Sequence, residues 1–212
     1  MVSRTTRDAA RPPFLFVGNH PALDFLNTAP LVDDVPSERL TDYAALVELA
    51  VEAELLLPED AAFARRAWAG TDAAMATVVR VRSLRELVRK VVMQIARRAP
   101  PSPGHLASLN AWLREDAGVY PELRKTETGF ERRVRLRRGG PDDLVAPIVG
   151  AISALLTEAD LSLVRKCESP SCALFFLDTS KNHRRRWCSM ELCGNRNKVG
   201  AYRARTAKTE GR

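Results

Sequence analysis

Apolar residues recur at spacings of three and four along much of the chain before residue 160, which is the period of an amphipathic helix. The longest such run begins after Thr71-Asp72 and stops before Pro100-Pro101. Its apolar positions are Met75, Val78, Val79, Leu84, Leu87, Val88, Val91, Val92 and Ile95. The run predicts one long helix, whose opposite face carries the basic residues Arg82, Arg85, Arg89 and Lys90. We interpret this basic face as solvated, with a contact to a polyanion as the alternative.

Shorter segments complete an α+β pattern. Helix start signals stand at Thr41-Asp42, Pro58, Ser102-Pro103 and Pro141-Asp142-Asp143. The segment ALDFLNT, residues 22–28, fits either a helix or a strand. Residues 119–125 and 131–138 alternate with period two around a Thr-Glu-Thr-Gly turn, which predicts a β-hairpin. The sequence therefore predicts a mostly helical N-terminal domain that contains one β-hairpin.

Charge divides the chain into two parts. Residues 165–212 hold 12 Lys and Arg against 4 Asp and Glu, whereas residues 1–164 hold 21 against 22. We therefore place a domain boundary near residue 160 and expect the basic part to contact a polyanion. Residues 1–13 are interpreted as a flexible leader and residues 206–212 as a flexible basic tail. Without a long apolar run or an apolar signal core, we expect a cytoplasmic protein with no membrane contact.

All four cysteines of the chain lie in the basic part, spaced as C-x4-C, fifteen residues, then C-x4-C. They are Cys167, Cys172, Cys188 and Cys193. Two close pairs supply the four thiolates of a tetrahedral Zn²⁺ site. Disulfides are the alternative, but they would require an oxidising compartment. We expect one structural zinc ion with no open position for catalysis, and a loop role for His183 because four thiols already fill the site.

The segments around the second cysteine pair suggest how the zinc module folds. LFFLDTS after Cys172 favours a strand, and Ser189 is placed to cap a helix running from Met190 to about Arg203. Knuckle, strand, loop and helix follow one another in the order of a treble-clef finger. We expect Trp187 to pack on Phe175 or Phe176, with a stacking platform for unpaired bases as the alternative.

Basic side chains in this module are candidates for contacts with nucleic acid. The phosphate-contact candidates are Arg184, Arg185, Arg186, Arg196, Lys198, Arg203 and Arg205. Asn195 and Arg196 are also candidates for base edges in a major groove. Alternatively, Asn195 hydrogen-bonds the knuckle backbone.

Two parts of the sequence resemble known protein families. The segment CESPSCALFFLDTSKNHRRRWCSMELCGNR strongly resembles the CGNR-type zinc finger, which is named after the run Cys193-Gly194-Asn195-Arg196. The apolar start with Gly18 and ALDFLNT resembles the ABATE domain that accompanies this finger in a bacterial family of stress-induced transcription regulators. The resemblance implies an α+β ligand-binding domain over residues 14–160 and a DNA-binding treble clef over residues 161–205.

The N-terminal domain offers a weaker candidate site. His20, Asp24, Asn27 and Thr28 lie close together beside an apolar segment and could line a ligand pocket, with caps and turns as the alternative. We expect no enzyme, because the sequence has no nucleophile elbow, Gly-rich phosphate loop or His/carboxylate metal motif.

The leading hypothesis is a DNA-binding transcription regulator that senses an unknown small molecule or partner. An RNA-binding zinc protein, and an enzyme tethered by its finger, are the alternatives. A homodimer would help a lone finger reach useful specificity. The long apolar helix is a candidate interface for such a dimer, although core packing is the favoured interpretation of its apolar face.

Overall fold

The computed structural model describes residues 14–32, 34–115 and 118–199, which contain six α-helices and three antiparallel strand pairs. The helices are α1 (Pro21–Leu26), α2 (Tyr43–Glu52), α3 (Pro58–Trp68), α4 (Asp72–Ala96), α5 (Pro103–Arg114) and α6 (Val145–Glu158). The strands are β1 (Leu31–Val32), β2 (Val35–Pro36), β3 (Val119–Thr126), β4 (Gly129–Leu136), β5 (Val164–Lys166) and β6 (Phe175–Leu177). Within these ranges, no helix has the length and apolar character that a membrane span requires.

Helix α4 is the central element of the N-terminal domain. Thr71 caps it by accepting a hydrogen bond from the Ala74 backbone N–H at 3.2 Å. Most of the predicted apolar face is buried, and α1, α2, α5 and α6 pack around the helix. Met75 and Val79 are exceptions, since both side chains are exposed near the first turns. The predicted helix and its core face are confirmed, so this face is already covered within one chain.

The basic side of α4 differs from the predicted solvated face. Arg85 is only 4% exposed, and its guanidinium donates to both carboxylate oxygens of Glu38 at 2.6 and 2.7 Å. Arg82 donates to the Leu40 carbonyl, and Arg89 donates to the Leu26 carbonyl. The prediction failed for these three residues because long arginine side chains reach polar groups beyond their own helix, whereas Lys90 is exposed. These arginines fix the segment after α1 onto α4.

Strands β3 and β4 form the predicted hairpin, with Val119 opposite Leu136. Its base is anchored by Asp60, a fully buried residue of α3. The carboxylate accepts hydrogen bonds from Arg135 at 2.9 and 3.1 Å, from Arg138 at 2.8 Å and from the Leu136 backbone N–H at 3.1 Å. Together these donors compensate a charge that would otherwise be costly to bury.

The C-terminal strand pair joins the two parts of the chain. Consecutive strand residues point to opposite faces. Phe175 of β6 accordingly lies in the main core, together with Val164 of β5, whereas Phe176 lies in a second apolar cluster that contains the four cysteines. The charge boundary near residue 160 therefore separates two stretches of sequence that share one core.

Candidate metal centre

Four buried cysteine side chains meet between the β5–β6 hairpin and the next helical segment. Cys167 follows β5, Cys172 precedes β6, and Cys193 lies in the helical turn Met190–Gly194, which continues as helix over residues 195–199. All four Sγ atoms lie within 4.8 Å of one another. Cys188 Sγ is 3.8 Å from Cys172 Sγ and 3.5 Å from Cys193 Sγ. Tetrahedral Zn²⁺ with Zn–S bonds of about 2.3 Å sets its sulfur atoms about 3.8 Å apart, so the four cysteines fit one zinc ion.

Crowding of the thiols controls their protonation when no metal is bound. Hydrogen bonds from the thiols of Cys172 and Cys188 lower the pKa of Cys167. The hydrogen bond to Cys167 raises the pKa of Cys172 to about 12, and the same contact raises the pKa of Cys188. One thiolate is thus favoured while its neighbours keep their protons. A divalent cation displaces those protons, so metal binding here is coupled to proton release.

Hydrogen bonds around the sulfur atoms hold the site in shape. The Cys188 backbone N–H points at Cys167 Sγ at 3.3 Å, and the Arg196 guanidinium lies 3.6 Å from Cys193 Sγ. Such donors stabilise thiolate charge and orient metal ligands. Ser189 caps the following turn by accepting from the Leu192 backbone N–H at 3.0 Å, as its position in the sequence predicts.

Asn197 ties the helix to the knuckle formed by residues 167–172. Its side-chain amide donates to Ser169 Oγ at 3.0 Å and to the Cys193 carbonyl at 2.8 Å. The sequence suggested this role for Asn195, but the Asn195 side chain is exposed. Gly194 packs closely against its neighbours, since a Cβ there would lie 2.6 Å from Met190 Sδ and 3.2 Å from Trp187 Cδ1, and the exposed Met190 side chain would have to shift.

Several of the predicted phosphate-contact side chains are exposed beside the cysteine cluster. Those on the surface are Arg184, Arg186, Arg196 and Lys198. Arg186 donates to the Glu168 carboxylate at 2.5 Å while remaining 64% exposed. Arg203 and Arg205 lie outside the described residues. Together with Lys166 and Lys181, which are also exposed, these four cations form the basic surface of the finger.

Arg185 differs from its neighbours because it turns inward. Its guanidinium stacks over the Phe176 ring at 4.3 Å and donates to the carbonyl groups of Val17 at 3.0 Å and Trp187 at 2.9 Å. We therefore remove Arg185 from the set of free phosphate contacts. Trp187 packs against the cluster that contains Phe176, in line with the expected core role.

Asp178 organises the basic loop and was missed in the sequence. It is fully buried, and its carboxylate accepts from Ser180 Oγ at 2.5 Å and from the Arg185 backbone N–H at 2.9 Å. Burial alone would raise the pKa of Asp178, but these hydrogen bonds and the nearby Arg165 outweigh it and lower the pKa. His183 contacts the Asp178 carbonyl through Nδ1 at 3.1 Å and is not part of the cysteine cluster. The Asp-Thr-Ser sequence was an available signal, since an aspartate commonly bonds backbone two residues on.

Comparison with known proteins agrees with this architecture. The family model of the CGNR zinc finger matches residues 164–206, which include all four cysteines. The ABATE model, described as "Putative stress-induced transcription regulator", matches residues 19–159, about two thirds of the chain. This chain belongs to the ABATE family. No curated protein matches it. The predicted family and the zinc finger are thereby confirmed, and together they indicate a regulatory zinc protein.

Within the ABATE domain, the four residues predicted to line a pocket have separate surroundings. Asn27 is 2% exposed and exchanges hydrogen bonds with the Phe175 backbone, while Thr28 Oγ1 donates to the Phe25 carbonyl at 2.8 Å. Asp24 accepts from the Gly18 backbone N–H at 2.8 Å. These three residues are structural in the described fold. Caps and turns, the alternative interpretation, describe them better than a pocket does.

His20 alone of the four faces a cavity, which has a volume of about 650 Å³. The ring caps α1 by accepting from the Ala22 backbone N–H at 3.2 Å. Burial lowers the pKa of His20, although Glu158 acts in the opposite direction. The neutral ring is therefore favoured near pH 7. Most of the remaining lining comes from α5, α6 and the base of the β3–β4 hairpin, which sequence spacing could not bring together.

Proposed function

We propose that this ABATE-family protein is a DNA-binding transcription regulator. Its finger holds one structural zinc ion and contacts DNA, and its N-terminal domain responds to a small molecule in the cavity. The exposed cations beside the metal centre carry the proposal. Arg184, Arg186, Arg196 and Lys198 stand on a small module with few acidic residues, and such a surface suits phosphate. The family description as a transcription regulator supports DNA as the polyanion.

The finger is proposed to be a treble clef. A knuckle between two short strands, a basic loop and a helix that begins at the second cysteine pair follow one another in that order. In this arrangement the exposed side chains of Asn195 and Arg196 lie in the second turn of the helical segment that begins at Met190. Exposed side chains near the N-terminus of a helix inserted in a major groove reach base edges, so we assign these two residues to base contacts.

Helix α1 is proposed to couple the cavity to the finger. His20 and Pro21 at its start line the cavity. Asn19, one residue earlier, donates to the Leu177 carbonyl and to Thr179 Oγ1 of the finger, both at 3.0 Å. A ligand that favours one position of α1 would therefore favour one position of β6. Such a ligand changes DNA affinity only if it binds one of the two arrangements more tightly than the other.

Equilibrium binding to fluorescent duplex DNA tests the contact between finger and DNA. The double variant Arg184→Gln/Lys198→Gln is expected to bind at least about tenfold more weakly near physiological salt. It should also reduce the slope of log affinity against log salt by about 1.8, since each lost phosphate contact accounts for about 0.9. Arg65→Gln/Arg66→Gln removes two exposed charges from α3 and serves as the matched control.

Competition with RNA separates this proposal from the RNA-binding alternative. Unlabelled duplex DNA is expected to displace the probe at lower concentration than structured or single-stranded RNA of equal length. Stronger displacement by RNA would favour the alternative. Equal loss of affinity in the α3 control variant would mean that overall charge, and not the finger, governs binding. The proposal assigns no reaction to the cavity, and the protein acts by binding.

A further inference from the structure

The cavity of the ABATE domain has an apolar floor made of small residues. Ala146, Gly150 and Ala154 recur every four residues on one face of α6. Walls come from Trp112 at the end of α5 and from Val134 near the base of the hairpin. A Cβ added at Gly150 would meet no atom within 4 Å, so the space above this helix is open. A volume of about 650 Å³ is in the range of cavities that bury a whole organic molecule.

Charged groups at the edge of the cavity are mainly acidic. The four carboxylates are Glu54, Glu115, Asp142 and Asp143, and the one permanent cation among the lining residues is Arg80. Arg80 pairs with Glu115 and Asp142. Glu54 and Asp143 have no cationic partner in the described part of the chain. Among the described residues, the Asp143 carboxylate accepts from the backbone N–H groups of Gly139 at 2.6 Å and Gly140 at 3.3 Å.

One cation, Arg80, already lies beside the acidic residues at the cavity edge. The Arg80 guanidinium lies 5.1 Å from the centre of the Trp112 ring while it pairs with carboxylates at the cavity edge. An aromatic face next to carboxylates attracts cations through both the ring quadrupole and direct charge. An anionic ligand would instead meet unpaired carboxylates, which is unfavourable.

We infer that this cavity binds an organic cation with an apolar body of about 20 to 35 non-hydrogen atoms, a size suited to a cavity of this class. The apolar body lies on Ala146, Gly150 and Ala154, and the cationic group lies at Glu54 and Asp143. The binding site is inferred from the residues that line the cavity. Only the effect of ligand binding on DNA affinity rests on the proposed function.

Fluorescence anisotropy with two xanthene dyes tests the ligand class. Rhodamine 6G is a cation and fluorescein is an anion of similar shape. The zinc-loaded full chain is expected to bind rhodamine 6G saturably in the micromolar range and to bind fluorescein at least about tenfold more weakly. Gly150→Leu is expected to weaken rhodamine 6G binding at least tenfold by filling the cavity. Gly104→Leu, at an exposed helical glycine with equally open space, should leave it unchanged.

A charge variant tests the acidic edge. Glu54→Gln should weaken rhodamine 6G binding about threefold to tenfold, whereas Glu52→Gln, at an exposed position at the end of α2, should not. Ala154→Leu fills the same cavity from another position and replaces Gly150→Leu if that variant does not fold. Absence of rhodamine 6G binding, equal binding of fluorescein, or full binding by the filled variants would overturn the inference.

Duplex DNA binding is measured on the same samples without dye. Absence of rhodamine 6G binding by the unaltered chain, with intact DNA binding, would refute the cation site and leave the DNA-binding proposal standing. Dye binding at the predicted residues by a protein that does not bind duplex DNA would refute the proposed function and leave the cation site standing.

Discussion

Asn27 and Phe175 lie 148 residues apart in sequence and exchange two buried hydrogen bonds. The Asn27 amide donates to the Phe175 carbonyl at 2.8 Å, and its Oδ1 accepts from the Phe175 backbone N–H at 2.9 Å. The side chain thus pairs with the backbone of β6 as a neighbouring strand would. Because the Phe175 ring also lies in the main core, this residue joins the finger to the ABATE domain.

Asn27→Asp should disrupt this pairing with little change in shape. A carboxylate cannot donate to the Phe175 carbonyl, and its charge is costly to bury, so we expect unfolding free energy at pH 7 to fall by about 2–4 kcal/mol. Urea unfolding monitored by circular dichroism measures this change. Asn110→Asp, at an exposed position of α5, should cost less than about 0.5 kcal/mol. A loss no larger than that of the control would show that the pairing does not stabilise the protein.

Asp60 should make the fold sensitive to acid. Burial alone would raise the pKa of Asp60, but hydrogen bonds from Arg135, the Leu136 backbone and Arg138 lower it below its unfolded value. The resulting stabilisation is complete above the unfolded pKa of about 4 and is lost as pH falls through the folded pKa. Asp60→Asn should cost about 2–4 kcal/mol at pH 7 and less with increasing acidity below pH 4.

Urea unfolding at a series of pH values between about 2 and 7 provides the test of Asp60. The exposed variant Asp34→Asn is the control and should follow the wild-type curve. A difference between Asp60→Asn and wild type that stays constant over the whole pH range would contradict the ion-pair account.

Asp24 should have the opposite effect on stability. Its burial raises the pKa to about 6, against hydrogen bonds from the backbone of Gly18 and Val17. The protonated form is favoured in the fold, so the contribution of Asp24 is complete below about pH 4 and is lost as pH rises through about 6. Asp24→Asn keeps an oxygen acceptor for Gly18 and has no charge to bury. Relative to wild type it should gain stability between pH 4 and 6, on the order of 1–2 kcal/mol after solvent screening.

The same unfolding series measures the Asp24 effect, and Asp34→Asn is again the control. The test is the sign of the change, as pH rises, in the difference in unfolding free energy between wild type and Asp24→Asn. If wild type became more stable than Asp24→Asn as pH rose from 4 to 6, the fold would stabilise the carboxylate. Burial would then not be the main influence on the pKa of Asp24.

Cys193→Ser should remove the metal without unfolding the helices. Wild type is expected to hold one zinc ion per chain, and the variant well below half, because loss of one thiolate leaves an incomplete tetrahedral set. Hydrogen exchange should increase in residues 167–197, while α2, α4 and α6 retain protection through their own core. His183→Ala should keep full zinc occupancy. Zinc loss from that variant, measured by elemental analysis, would place His183 among the ligands.

Some elements could be predicted from sequence because local signals determine them. Asp42, Thr71 and Ser102 cap the helices that they were expected to begin, and the four cysteines meet as their spacing predicted. Arg85 and Asn27 could not be assigned, because their partners depend on which segments the fold brings beside them. Arg85 shares its helical phase with buried residues such as Val81 and Val88, so its charge alone suggested a surface position. The tertiary position of Glu38 makes it a buried partner.

The cavity could not be predicted from the sequence for the same reason. Its floor is a row of small α6 residues that, in sequence, is typical of close helix packing, and its walls come from segments far apart in the chain. The sequence named His20, which lines the cavity, only as one of four pocket candidates. It could not show that Asn27 and Thr28 turn toward β6 and α4 instead of toward a ligand.

Selection of bound sequences from a random duplex DNA library tests the central claim most directly. The zinc-loaded full chain is used at near-physiological salt, with Cys193→Ser as the zinc-depleted comparison. We expect an enriched sequence that Cys193→Ser does not select, and a palindromic site would indicate that the protein binds as a homodimer. Absence of enrichment, with binding that merely weakens as salt rises, would contradict sequence-specific recognition by the finger.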